Sequence, residues 1–148
     1  DALGRLRASE RLRNHDAELT RHHLRLGFLV HEAPLSRRSL YRYLTACGPV
    51  AADVTLLSTA DRLATRGRGA DLAITRHLEL AREVLSEALR WRAQGPPRPL
   101  LAGDELAGEL GIKPGPRIGQ LLSELAEAQF AGEIRTRDEA LALARASA

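Results

Sequence analysis

The sequence predicts an all-α fold, a helical bundle over residues 1–94 followed by a small three-helix subdomain over residues 100–148. Three observations predict it. No stretch sustains the period-two alternation of a half-buried strand. Apolar residues recur instead at spacings of three, four and seven, which return to one helix face. Serine, threonine, glycine and proline stand where such helices would start and stop.

Ser9 is placed to N-cap a first helix running to about Leu24, with Leu12, Leu19, His23 and Leu26 on one face. Gly27 ends it, and Phe28 to Pro34 reads as a connector. Ser36 caps a short helix, Arg37 to about Ala46, whose apolar stripe is Leu40, Tyr43, Leu44 and Cys47; Gly48 stops it. Pro49 suits the first turn of the next helix, about Val50 to Arg66. Val54, Leu56, Leu57 and Leu63 make that helix apolar on several sides, so it is expected to be the central buried one. Arg66-Gly67-Arg68-Gly69 is a break, after which Asp71 opens a long helix to about Arg92. Its apolar positions are Leu72, Leu78, Val84, Leu85, Leu89 and Trp91.

Residues 95–99, Gly95-Pro96-Pro97-Arg98-Pro99, cannot continue a helix and read as an extended linker. Three short helices follow. The first spans about Asp104 to Leu110 and is stopped by Gly111. The second runs from the Pro114-Gly115-Pro116 turn to about Ala131 and is stopped by Gly132. Thr136-Arg137-Asp138-Glu139 is a capping-box pattern that opens the third, to about Ala146.

Composition excludes several function classes. With 148 residues there is room for one domain or two very small ones. A hydrophobic share of 44% suffices for a core, so wholesale disorder is excluded. The single cysteine, Cys47, forbids an internal disulfide or a multi-cysteine zinc site and reads as a helix-packing residue. No apolar run approaches the roughly 18 residues of a membrane span, and a cytoplasmic compartment is expected. Five aromatics (Phe28, Tyr41, Tyr43, Trp91 and Phe130) are too few for a sheet that stacks successive bases. The chain begins at Asp1 and has no methionine, so it is expected to be a piece of a longer protein.

Charge is uneven. Of 22 basic residues only Lys113 is a lysine, and the net charge is +3. Residues 1–68 hold 12 arginines against seven acids, a net of +5, whereas residues 69–148 have a net of −2. An abundance of arginine can reflect codon usage as well as phosphate contact. Its clustering puts any electrostatic footprint mostly in the first half.

Four strings could carry chemistry. His15-Asp16 has the form of a phosphohydrolase metal pair, but its polar, arginine-flanked setting marks two residues on a solvated helix. His22-His23 diverge by about 100° on a helix and cannot easily share one metal. One could face a site while the other packs, or both could simply be surface or half-buried side chains. Asp61, inside the most apolar helix, needs a partner against desolvation. That partner is either Arg62 or Arg66, or a metal held with His22 or His23. Lys113-Pro114-Gly115-Pro116-Arg117-Ile118-Gly119 brings two cations and two glycines to a helix start whose backbone N–H groups attract anions. It reads either as a phosphate contact or as a rigid corner with Gly119 present for close packing. There is no glycine-rich phosphate loop, no Gly-x-Ser-x-Gly string, and no Gly-Ser pair near two strand-borne carboxylates.

Three strings together carry a family resemblance. Leu40-Tyr41-Arg42-Tyr43-Leu44, with Leu56 to Gly67, resembles the later helices of the HD-type region in bacterial tRNA nucleotidyltransferases and poly(A) polymerases. Thr20-Arg21-His22-His23-Leu24-Arg25 resembles the helix before them. Gly111 to Gly119, with Ala128-Gln129 and Gly132 to Arg137, resembles their C-terminal segment and is the most specific of the three. The likeness covers nearly the whole chain.

The resemblance implies a truncated HD-like bundle from a parent enzyme that adds CCA or adenylate to RNA 3′ ends, using Mg²⁺ and CTP or ATP. The family's catalytic head lies N-terminal to these segments and has no counterpart here, nor does the leading His…His-Asp part of the HD region. Asp61 matches the trailing Asp of that pattern, and His22 or His23 falls where such domains often place a histidine. The expectation is therefore an RNA-holding, C-terminal fragment that binds no cofactor itself. It would contact tRNA backbone through Arg37, Arg38 and Arg42, and through Lys113, Gly115 and Arg117. The rivals are a metal-dependent HD-type phosphohydrolase, with a divalent metal at Asp61 and His22 or His23, and a structural scaffold or homodimer surface.

Overall fold

The first unit of the computed structural model is built from helices whose starts are fixed by short polar side chains. Residues 2–32 and 34–148 are described; Ala33, inside the expected connector, lies outside them. After a single turn, α1 (Ala2–Arg5), Ser9 accepts from the Leu12 N–H at 3.3 Å and opens α2 (Glu10–His22). Ser36 accepts from the Ser39 N–H at 3.0 Å and opens α4 (Arg37–Cys47). Between them lies α3 (Arg25–Leu29), followed by a 3₁₀ turn at Val30–Glu32. A second 3₁₀ turn, Gly48–Val50, carries Pro49 into α5 (Ala51–Ala64), and α6 (Ala70–Gln94) returns along α5.

Two expectations about this unit are corrected. The first helix does not continue to Leu24. It ends at His22, and Gly27 sits inside α3 instead of terminating α2. The expected face of Leu12, Leu19, His23 and Leu26 is thereby split, so Leu12 and His23 are exposed while His22 and Leu26 are buried. The second correction concerns α5. It packs against α2, α3, α4 and α6, but through Ala51, Ala52, Val54, Thr55 and Ser58. These small side chains let neighbouring backbones approach closely, and Leu56, Leu57 and Leu63 face outward. On α6 the buried stripe is His77, Leu80, Ala81, Val84 and Ala88; Val84 is buried as expected, while Leu72 and Leu89 are exposed.

The polar groups in this core are bonded to one another. Tyr43 Oη lies 2.8 Å from Thr55 Oγ1, which donates to the Ala51 carbonyl at 2.8 Å. Ser58 Oγ lies 3.2 Å from His77 Nε2. Among the described residues, the exception is His77 Nδ1, which is buried with no hydrogen-bond partner. Cys47 is buried beside Tyr43, and burial pushes its thiol up to about 11, so it remains a protonated packing group. At the far end of the helical pair, Arg92 bonds the Asp53 carboxylate at 2.7 Å and ties the C-terminus of α6 to the first turn of α5. The Tyr41 ring meets Trp91 edge-on, with centroids 5.8 Å apart.

The second compact unit begins at Pro96. It contains α7 (Gly103–Leu110), α8 (Pro116–Ala131) and α9 (Arg137–Ser147) around Leu101, Leu106, Ile118, Leu121, Leu125, Ala128, Ile134, Ala140 and Ala144. Gly111 at φ +65° and Gly132 at φ +80° stop α7 and α8 in the left-handed conformation, where any other residue would be strained. Thr136 and Glu139 form the full capping box of α9: Glu139 accepts from the Thr136 N–H, and Thr136 accepts from the Glu139 N–H. Arg137 then bridges to Glu105 and Glu109 of α7, each at 2.6 Å. No strand occurs among the described residues, and none of their helices is long and apolar enough to cross a membrane.

Candidate nucleic-acid interface

Two cation-bearing edges, one in each unit, hold the residues singled out from the sequence. On α4, Arg38 and Arg42 are four apart and lie about 40° from one another around the helix. Arg37 is directed elsewhere, its guanidinium 3.6 Å from Glu87 of α6. The three arginines therefore do not form one patch. Arg42 is exposed and lines a cleft between α3 and α4, whereas Arg37 helps hold α4 on α6.

At the Pro-Gly-Pro turn, Lys113 and Gly115 are exposed just before α8, whose first helical residue is Pro116. No side chain caps this helix start. Gly115 has extended backbone that any residue adopts, and neither Gly115 nor Gly119 is pressed by a neighbour that a side chain would strike. The reading of Gly119 as a close-packing residue is thus not what the structure shows; the surface around it is open. Arg117, expected to flank the anion, donates instead to the Ser147 carbonyl and to Gln120. There a cation meets the negative end of the α9 dipole. Lys113 and Arg117 are both exposed here, and Lys113 is the one not directed onto α9.

The three residues weighed as metal ligands are not brought together. His22 is buried with both ring nitrogens engaged: Nδ1 accepts from Arg25 Nε at 2.7 Å, and Nε2 lies 3.3 Å from Glu18. His23 turns the other way. Its Nδ1 donates to the Thr20 carbonyl at 2.5 Å. His23 and Asp61 do line one pocket, with Thr20, Leu57 and Ser58. Asp61 is exposed, however, so the desolvation that was expected to demand a partner is absent. Two donors fall short of the three or four protein ligands that hold a zinc ion, and no group of three such side chains exists among the described residues. His15 and Asp16 stand on α2, partly and fully exposed, as expected of a solvated helix.

Sequence reasoning missed two features. One is His77, buried with an orphaned nitrogen, which the apolar stripe drawn through its neighbours did not include. The other is Phe28, 68% exposed at the cleft that Arg42 lines. It was placed in a connector, where an aromatic gives no periodic signal.

Fold and site thus define a helical, arginine-rich chain whose candidate contacts are surface cations on helix edges. Comparison with known proteins gives its family. The chain is 37% identical over 111 residues to the CC-adding tRNA nucleotidyltransferase of Thermus thermophilus, a match covering 74% of this chain and 23% of that protein. It is 42% identical over 90 residues to the A-adding tRNA nucleotidyltransferase of Deinococcus radiodurans, covering 61% and 20% respectively. With the CC-adding enzyme of Synechocystis sp. it shares 49% identity over 49 residues, 33% of this chain and 12% of that one. The chain belongs to the tRNA nucleotidyltransferase family, and its matches span less than a quarter of the length of these relatives. No family model matches the chain. No solved structure matches it.

Proposed function

We propose that this chain is an RNA-binding, C-terminal part of a tRNA nucleotidyltransferase, holding tRNA backbone while a catalytic head outside these residues adds nucleotides to the 3′ end. The observation that carries the reading is the match over 111 residues to an enzyme named for its action on tRNA. The surface cations support it. Arg38 and Arg42 on α4 and Lys113 at the open start of α8 present guanidinium and ammonium groups suited to phosphate oxygens. Arg37 is turned toward Glu87 of α6 and Arg117 toward the Ser147 carbonyl, so these two are given the smaller part in this reading. We read α2 to α6 as the later helices of an HD-type region in which Asp61 and His23 still share a pocket, with no third ligand beside them among the described residues. CTP or ATP, and the Mg²⁺ that handles their phosphates, belong in this reading to the head.

Titration of tRNA into the chain at several salt concentrations tests the proposal. Each lost phosphate contact flattens the slope of log K against log salt by about 0.7 to 0.9. Lys113→Ala and Arg42→Ala are each expected to flatten it by about that amount and to weaken binding similarly across RNA sequences. Unchanged affinity and slope in both variants would remove the assigned contacts. An absence of tRNA binding at low salt in the unmodified chain would remove the function.

A further inference from the structure

The cleft between α3 and α4 has a composition that backbone binding does not explain. Its wall is made by Arg25, Phe28 and Leu29 on one side, by Ser39, Arg42 and Tyr43 on the other, and by Glu32 at one end. Phe28 is 68% exposed although it has a folded core beneath it. An aromatic ring left in water next to two guanidinium groups offers a flat apolar face in a cationic setting. Arg25 is held by its Nε–H on His22 at 2.7 Å, and its two terminal nitrogens carry four further N–H donors.

Glu32 is also fixed in place. The Ser36 hydroxyl donates to Ser39 at 3.0 Å, and the Ser39 hydroxyl donates to Glu32 Oε2 at 2.9 Å. A carboxylate set among arginines repels a bare phosphate, but it accepts well from the exocyclic amino group of a base. The cleft volume is about 210 Å³. That is below the roughly 300 Å³ at which pockets enclose a drug-sized molecule, and it suits one planar ring seated by its face.

We propose that this cleft binds a single unpaired nucleotide of RNA, with its base stacked on Phe28, its amino edge on Glu32 and its phosphate toward Arg25 and Arg42. The inference rests on the RNA-binding reading above and adds to it a base-recognising subsite. One exposed ring is enough for one base, even though five aromatics cannot build a stacking sheet. Cytosine, adenine and guanine carry the amino group that Glu32 would accept; uracil does not.

The test is fluorescence anisotropy of the full chain with labelled oligo(C) and oligo(U) pentamers, alongside tRNA. Phe28→Ala is expected to weaken oligo(C) binding about tenfold or more, the equivalent of one lost stack. Phe28→Trp is expected to retain it. Glu32→Gln is expected to narrow the preference for oligo(C) over oligo(U). Because Phe28 is largely exposed, an unchanged circular dichroism spectrum would show that the loss is not one of folding. If tRNA binds but Phe28→Ala and Phe28→Trp bind oligo(C) like the unmodified chain, the subsite is overturned and the backbone-binding reading stands. If the unmodified chain binds neither tRNA nor pentamer at low salt, both fall.

Discussion

His77 makes the first unit acid-sensitive in a way that can be worked out from its surroundings. The ring is 1% exposed on the inner face of α6, with Nε2 on Ser58 and Nδ1 unpartnered. Burial, reinforced by the nearby Arg62 charge, holds its pKa below the ordinary histidine value. The unfolded chain therefore takes up a proton, at about pH 6.5, before the folded one does. Stability is fully present above that value and is lost as pH falls toward the folded pKa. One proton changes stability by at most about 1.4 kcal/mol per pH unit, so at pH 5.5 the loss from this group is bounded at about 1.4 kcal/mol. That is a sizeable fraction of the roughly 5–15 kcal/mol available to a small domain. Urea unfolding followed by Trp91 fluorescence at pH 7.5 and pH 5.5 measures it. The His77→Gln variant keeps an amide near Ser58 but cannot titrate, so its loss between the two pH values should be smaller by up to that amount. An equal loss in His77→Gln and the unmodified chain would refute the reasoning, because the acid sensitivity would then come from other groups.

Three further outcomes are expected. Leu106→Ala, which empties a fully buried position in the second unit, should cost about 2–5 kcal/mol and lower the thermal midpoint seen by far-ultraviolet circular dichroism. Thr136→Ala, which removes the N-cap of α9, should cost about 1 kcal/mol in urea titration, and Thr136→Ser should restore most of it. Cys47 should resist a thiol reagent at pH 8 until denaturant is added, since it is buried and its thiol is pushed up to about 11; rapid labelling of the native chain would contradict its packing role.

Caps and stops were legible in the sequence because their cause is local. Ser9, Ser36, the Thr136–Glu139 box, Gly111 and Gly132 each act on backbone within a few residues, and each does what its type and spacing dictate. The separation of His22 from His23 was also legible, because adjacent helical residues point apart whatever surrounds them. Which one would be buried was not. That depended on α2 ending at His22 and on Arg25 and Glu18 closing around its ring. The inner faces of α5 and α6 misled for a related reason. Val54 and Val84 are buried as their apolar identity suggested, but Leu56, Leu57, Leu63 and Leu72 are exposed; on α5 the small Ala51, Ala52, Thr55 and Ser58 take the inner face, and on α6 the buried stripe includes the polar His77.

By itself, then, the sequence determined the all-helical class, the order of the main helices, most of their starts and stops, and the family to which its strings point. These follow from local backbone chemistry and from residue strings, neither of which needs a three-dimensional neighbour. Only the tertiary structure decided that Asp61 is exposed, that Arg37 and Arg117 bond within their own units, and that Phe28, Glu32, Arg25 and Arg42 line one cleft. Each of these depends on side chains distant in sequence or across a helix boundary, where packing fixes the partner and composition cannot.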